Sequence, residues 1–201
     1  MLVYLDPVPE DEASITNMYE VYLNAGPAIR EQVHEQLLDP GFIGVKCVDT
    51  DRDAIVGILC AHPGIHFTCA HPELERVIEK RWGKAGVYTG DMLVVDPAYR
   101  GHGVASKMAK ELRRKMRAGG AVCMVMEQWL RSKEKDVPAM NPMRDAGDPI
   151  LIAVDQRFYR DLSKYGLTCP ECGEDCECGA VISVIDFQAL WRGEKGNAQE
   201  S

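Results

Sequence analysis

Apolar residues recur four apart at Val104, Met108, Leu112 and Met116, inside a stretch that is otherwise basic. That spacing draws one apolar stripe along a helix over residues 103–118. Gly119 and Gly120 end it. Just before it, "GVYTGDMLVVDP" reads as a strand, and "AVCMVMEQWL" after it is mostly apolar, as a strand buried on both faces would be. The clearest hairpin is "FIGVKCVDTDRDAIVGILCAHP", two β-rich runs around a polar turn. "LVYLDPV" predicts an opening strand. "EDEASITNMYEVYLNAG" and "PAIREQVHEQLLDPG" predict two helices, closed by Gly26 and by Pro40 with Gly41. "HPELERVIEKRWGKAG" predicts a short helix. Residues 131–147 form a long polar excursion. Asp148 as a cap and Pro149 as a first position then predict a helix over "PILIAVDQRFYRDLSKYG". "AVISVIDF" is the last strand. The order β, α, α, β, β, α, β, α, β, α, β suggests one α/β or α+β domain over residues 1–201, built on a mixed central sheet.

With 201 residues the chain is long enough for one sizeable core. Lys and Arg number 23 against 31 Asp and Glu, a formal net charge of −8. That balance argues against general binding of nucleic acid, which needs a basic surface. No apolar run approaches a membrane span. The first residues, "MLVYLDPVPEDE", have no basic region and turn acidic early, unlike a signal peptide. A cytoplasmic location is the expectation, with no membrane partner and with a homodimer as a compatible assembly. Eight cysteines in such a compartment do not suggest a disulfide framework.

The turn "DPAYRGHGVAS" carries the first candidate chemistry. A helix start offers unpaired amide donors and the positive end of the helix dipole, which suit an anion. Gly101 and Gly103 lack a Cβ, so a diphosphate could come close to the backbone. A plain glycine-rich strand-to-helix connection is the blander alternative. A P-loop is excluded by the missing Gly-Lys-Ser/Thr. A dinucleotide fingerprint is weakened by Ser106 at the third glycine position, although Glu127 falls at a tempting distance for a ribose ligand. A coenzyme A site uses the whole stretch.

"LVVDPAYRGHGVASKM" resembles the acetyl-CoA motif of the GNAT superfamily of N-acetyltransferases: a strand, an Asp/Pro turn, then Arg/Gln-x-x-Gly-x-Gly/Ala entering a helix. Arg100, Gly103 and Ala105 fill its three fixed positions, and the element order agrees along nearly the whole chain. The resemblance implies a mostly antiparallel mixed sheet flanked by helices, splayed at the motif strand. It implies that backbone groups of Leu93, Val94 and Val95 meet the pantetheine arm of acetyl-CoA. Residues Arg100, Gly101, His102, Gly103, Val104, Ala105 and Ser106 would hold the pyrophosphate. "RFYRDLSKYG" resembles the later family segment that places a tyrosine on a helix beside the thioester.

Acetyl transfer to an amine needs a base for the amine, a polarised carbonyl and a proton for the leaving thiolate. Tyr159 matches the family tyrosine that acts as general acid, and a phenol of pKa about 10 suits a thiolate. Its blander fate is packing on a helix's inner face. Glu127 interrupts an apolar strand, where a carboxylate is costly unless paired, exposed in a cleft or functional. It sits where some family members, such as the ribosomal-protein alanine acetyltransferases, carry a glutamate base; a strand end or an ion pair is the alternative. Asp91 is the second candidate base, and His102 reads as a phosphate-side or solvent residue. The family asparagine after the second motif strand has no counterpart before the polar excursion, which itself reads as an acceptor lid or as a solvated loop.

"CPECGEDCECG" sets Cys169, Cys172, Cys176 and Cys178 in a short cysteine-rich hairpin, residues 169–178. Four thiolates can make a tetrahedral structural zinc site, though the spacer demands a very tight hairpin; surface thiols or a redox pair are the alternatives. Cys47, Cys60, Cys69 and Cys123 lie in apolar runs as inert thiols. Two functions follow: an N-acetyltransferase moving acetyl from acetyl-CoA directly to an amine, or a non-catalytic module that senses coenzyme A or binds a protein.

Overall fold

The structure, a computed structural model, describes residues 1–68, 71–156, 159, 168–173 and 175–191. Seven strands form one sheet in the order β1-β2-β3-β4-β5-β7-β6. They are β1 (Leu2–Leu5), β2 (Ile43–Asp49), β3 (Ala54–Pro63), β4 (Val87–Val95), β5 (Cys123–Leu130), β6 (Ile150–Asp155) and β7 (Gly179–Asp186). Every neighbouring pair is antiparallel except β4 with β5, which is parallel. The helices are α1 (Glu12–Leu23), α2 (Ile29–Leu38), α3 (Pro72–Trp82), α4 (Val104–Ala118) and α5 (Met140–Met143). The expected mixed, mostly antiparallel sheet flanked by helices is the fold observed.

The apolar stripe of α4 does what its spacing requires. Val104, Met108, Leu112 and Met116 are all buried, packed with Val45, Leu59, Met124 and Met126 on one face of the sheet. The other face has two covers. Over β3 and β4, α1 and α2 bury Ile15, Met18, Tyr19 and Val33 against Ile58, Cys60 and Val94. Over β4, β5 and β7, Ile78 of α3 packs on Val87, Cys123, Val125 and Val184. Strand side chains alternate between faces, so β5 sends Met124 and Met126 to α4, and Cys123, Val125 and then Glu127 to the opposite side.

One expectation fails. The helix placed over residues 149–166 is contradicted at its start, because Ile150–Asp155 form β6, paired with β7. Ile150, Ile152 and Val154 are β-branched, which favours a pleated surface. The alternation is masked because the register shifts between Leu151 and Ala153, a bulge that puts an extra residue into the edge strand. Residues 157, 158 and 160–167 lie outside the described residues, including most of "RFYRDLSKYG". Among the described residues no helix is long and apolar enough to cross a membrane.

Candidate active site

β4 and β5 share a ladder only from Val87↔Cys123 to Gly90↔Met126. Beyond that, β4 keeps β3 as its partner up to Val95↔Gly57, and β5 keeps β7 up to Leu130↔Gly179. The two parallel strands therefore part after Gly90 and Met126. A bulge sits at that point. Gly90 opposes Ala61 and Leu93 opposes Leu59, which leaves Asp91 and Met92 together against Cys60. Bulges bend and twist the strand that carries them, and here the bend accompanies the opening.

The antiparallel ladder also fixes which backbone groups face the opening. Asp96 N–H donates to Val56 O at 2.9 Å. Hydrogen-bonded pairs alternate with non-bonded ones, so Val94 turns its backbone toward Ile58 while Leu93 and Val95 turn theirs toward the gap. The Val95 carbonyl accepts from Arg100 Nε at 2.9 Å, which ties the turn to the strand end.

The turn is built from local chemistry. Asp96 accepts the Ala98 N–H at 2.8 Å and closes a single 3-10 turn, Pro97–Tyr99. Tyr99 donates to Asp49 at 2.6 Å. Gly101 and Gly103 then adopt φ of +77° and +75°. A Cβ built on either would meet no atom within 4 Å, so here glycine answers the left-handed backbone rather than crowding within the chain. Gly103 is the N-cap of α4, and the first bond back along the helix is Lys107 N–H to Gly103 O at 3.0 Å. The amides of Val104, Ala105 and Ser106 precede that bond and belong to the donor-rich first turn. Gly101, His102 and Gly103 are exposed.

Across the opening, Glu127 is the first β5 residue past the last shared pair. Tyr159 donates its phenolic hydrogen to Glu127 Oε1 at 2.5 Å, and Thr68 N–H donates to Oε2 at 2.9 Å. Burial pushes the Glu127 carboxyl above the usual carboxylate range, and these two bonds partly offset the push. The two residues expected to carry acid–base chemistry thus stand in direct contact. In sequence Tyr159 follows β6, and the helix between β5 and β6 is α5, "MNPM".

Asp91 faces a different partner: Gln36 Nε2 of α2 donates to Asp91 Oδ2 at 2.7 Å. His62 is close enough for Asp91 to favour its charged form, yet burial dominates and lowers its pKa below the ordinary imidazole value. The His62 and His66 rings lie 4.7 Å apart. His66 N–H bonds to Thr89 Oγ1 at 3.0 Å, holding residues 64–68 over β4. Gln36, His62 and Thr68 went unmarked in the sequence. Three histidines in "HPGIHFTCAH" were the available signal for His62; nothing local points to Gln36 or Thr68.

The sulfurs of Cys169, Cys172, Cys176 and Cys178 converge, all within 4.8 Å of one another. Ser132 and the Glu177 amide hold the Cys172 thiol down at about 7, while burial raises those of Cys169 and Cys176. Cys47, Cys60 and Cys123 are buried apart from the cluster, and burial raises all three thiols. Cys69 lies outside the described residues.

The model of the acetyltransferase (GNAT) family matches residues 13–133, more than half the chain, and the chain belongs to that family. No curated protein matches the sequence. Among solved structures, the ribosomal-protein-S18-alanine N-acetyltransferase from Escherichia coli aligns with a TM-score of 0.63 at 11% identity, over 93% of this chain and 94% of that one. A GNAT-family protein from Desulfovibrio desulfuricans gives 0.61 at 16% identity, over 93% and 99%. An aminoglycoside 6'-N-acetyltransferase complexed with coenzyme A gives 0.58 at 13% identity, over 93% and 97%. At these identities the likeness is one of fold.

Proposed function

We propose that the chain is an acetyl-CoA-dependent N-acetyltransferase that passes acetyl directly to a primary amine. The observation that carries this reading is the opening between β4 and β5, with the α4 turn at the end of one strand and the Glu127–Tyr159 pair on the other. Coenzyme A in the aminoglycoside acetyltransferase, which shares the fold, supports the choice of cosubstrate.

In this reading the pantetheine arm lies along β4 and bonds to the outward backbone groups of Leu93 and Val95. Val94, turned toward β3, contributes its apolar side chain to the wall's support. Arg100, Gly101, His102, Gly103, Val104, Ala105 and Ser106 hold the pyrophosphate, the amides at the helix start supplying most of the donors. The acceptor nitrogen enters from the Glu127 side. It attacks the thioester carbonyl, the carbon–sulfur bond breaks, and the nitrogen's proton goes to Glu127. Tyr159 gives its proton to the leaving thiolate and recovers one from Glu127, to which it is already bonded. The net movement is one proton from amine to thiol and one acetyl from sulfur to nitrogen. Asp91, held by Gln36, supports the bulge instead of serving as the base.

Free-thiol release from acetyl-CoA across a panel of small amines, aminoglycosides and peptides tests the proposal. Amine-dependent release supports it. Coenzyme binding without release on any amine would favour the non-catalytic module.

A further inference from the structure

We propose that Cys169, Cys172, Cys176 and Cys178 hold one zinc ion in a four-thiolate site, and that this ion fastens the chain entering β7 to the loop leaving β5. The Cys169 and Cys178 sulfurs stand 3.9 Å apart, and those of Cys172 and Cys178 stand 3.5 Å apart. Four sulfurs at about 2.3 Å from a tetrahedral zinc stand about 3.8 Å from one another. Two of the six sulfur–sulfur distances already match that spacing, and all four sulfurs lie within 4.8 Å of one another, close enough to share one ion. The other described cysteines are buried singly in the apolar layers, so convergence is a property of this segment alone among the described residues.

The surroundings are those of thiolate ligands. Cys178 N–H donates to Cys176 Sγ at 3.4 Å. Ser132 Oγ lies 3.5 Å from Cys172 Sγ and 3.8 Å from Cys178 Sγ. Such outer partners fix the ligands and spread their charge. Gly173, at φ +75°, turns the chain so that its N–H reaches Cys169 O at 2.9 Å, which brings Cys169 and Cys172 to one side of a tight loop. Four sulfur ligands in a tetrahedron select zinc or iron among common metals, and zinc needs no redox partner.

The fastening runs through named bonds. Lys133 N–H donates to Glu171 Oε1 at 3.2 Å, and Lys133 Nζ to Glu171 O at 3.1 Å. On the other side, Tyr159 N–H donates to Cys178 O at 3.4 Å, and the Tyr159 and Trp129 rings pack on the cluster. The ion would thus hold the backbone of Tyr159 behind Glu127. This last consequence rests on the reading of Glu127 and Tyr159 given above.

The test is metal content of reduced, purified full-length protein by elemental analysis, with cobalt(II) replacement followed by absorption spectroscopy. The expected result is about one zinc per chain, the stoichiometry of a four-thiolate site. It should fall in Cys172→Ser, and cobalt should give the visible bands of a tetrahedral thiolate complex. Reduced protein that takes up neither metal, and melts alike with and without chelator, overturns the site. Stoichiometric iron overturns the zinc assignment. Chelated protein should keep its acetyl-CoA melting shift and lose turnover at least tenfold. Full turnover after the metal is gone would overturn the link to Tyr159 while leaving the metal site standing. Because cobalt uptake is measured on the parent chain, the test survives a variant that does not fold.

Discussion

Tyr159 and Glu127 share a 2.5 Å hydrogen bond across 32 positions of sequence, phenol donating to carboxylate. The bond joins the chain that follows β6 to the strand that flanks the opening in the sheet. It favours the ionised carboxylate, against a burial that disfavours it. The protonation state of Glu127 is therefore set by burial on one side and by its hydrogen bonds from Tyr159 and Thr68 on the other.

Tyr159→Phe removes that oxygen. Glu127 should then need a higher pH to ionise, so the acid limb of the rate profile should move upward. Loss of the proton donor for the thiolate should also lower turnover on the plateau by about a hundredfold. A pH profile of kcat separates the two effects. A variant with the parent's limb and plateau would leave Tyr159 as packing only.

Gly103→Val forces a β-branched residue into a left-handed backbone, where strain costs roughly 1–2 kcal/mol. For a chain of this size the apo melting temperature should fall by about 2–8 °C. The melting shift produced by acetyl-CoA, a mass-action effect, should disappear because the turn no longer presents its amides. An undiminished shift in a folded variant would move the pyrophosphate away from this turn.

Asp91→Asn should leave turnover within about threefold of the parent, since loss of a true general base costs about 10²–10⁴-fold. Asn can still accept from Gln36. Steady-state kinetics with a saturating amine decide the point, and a hundredfold loss would make Asp91 the base.

Asp11→Ala tests the frame rather than the chemistry. Lys46, only 8% exposed, bonds to both Asp11 oxygens at 2.7 and 2.5 Å. Removing the carboxylate strands a buried ammonium and should cost about 3 kcal/mol or more. Urea unfolding would register the loss as a lower midpoint at unchanged slope.

The parts legible in the sequence are those set by local pattern. The four-residue spacing from Val104 to Met116 marked α4 and its buried face, and the "DPAYRGHG" turn marked the helix start that α4 uses. Ile150–Asp155 misled because Asp148 and Pro149 punctuate a helix start equally well, and because the bulge at Ile152 hides a two-residue alternation. The role of Gly103 was legible as a need for glycine, while its reason, a positive φ, required the backbone. Glu127 and Tyr159 were each visible as anomalies, but their bond depends on β5, β6 and β7 lying side by side. The pairing of Gln36 with Asp91 is tertiary in the same way. The cysteines were conspicuous by density, and their convergence needed Gly173 to turn the chain.

Comparing kcat/KM against pH for the parent and Glu127→Gln, with acetyl-CoA and one productive amine, bears most directly on this mechanism. The parent should show an acid limb above the ordinary carboxylate range, as the burial of Glu127 requires. The variant should lack that limb, fall about 10²–10⁴-fold below the parent on the parent's plateau, and close on it as pH rises further and free amine forms unaided. Superimposable profiles for parent and variant would contradict Glu127 as the base.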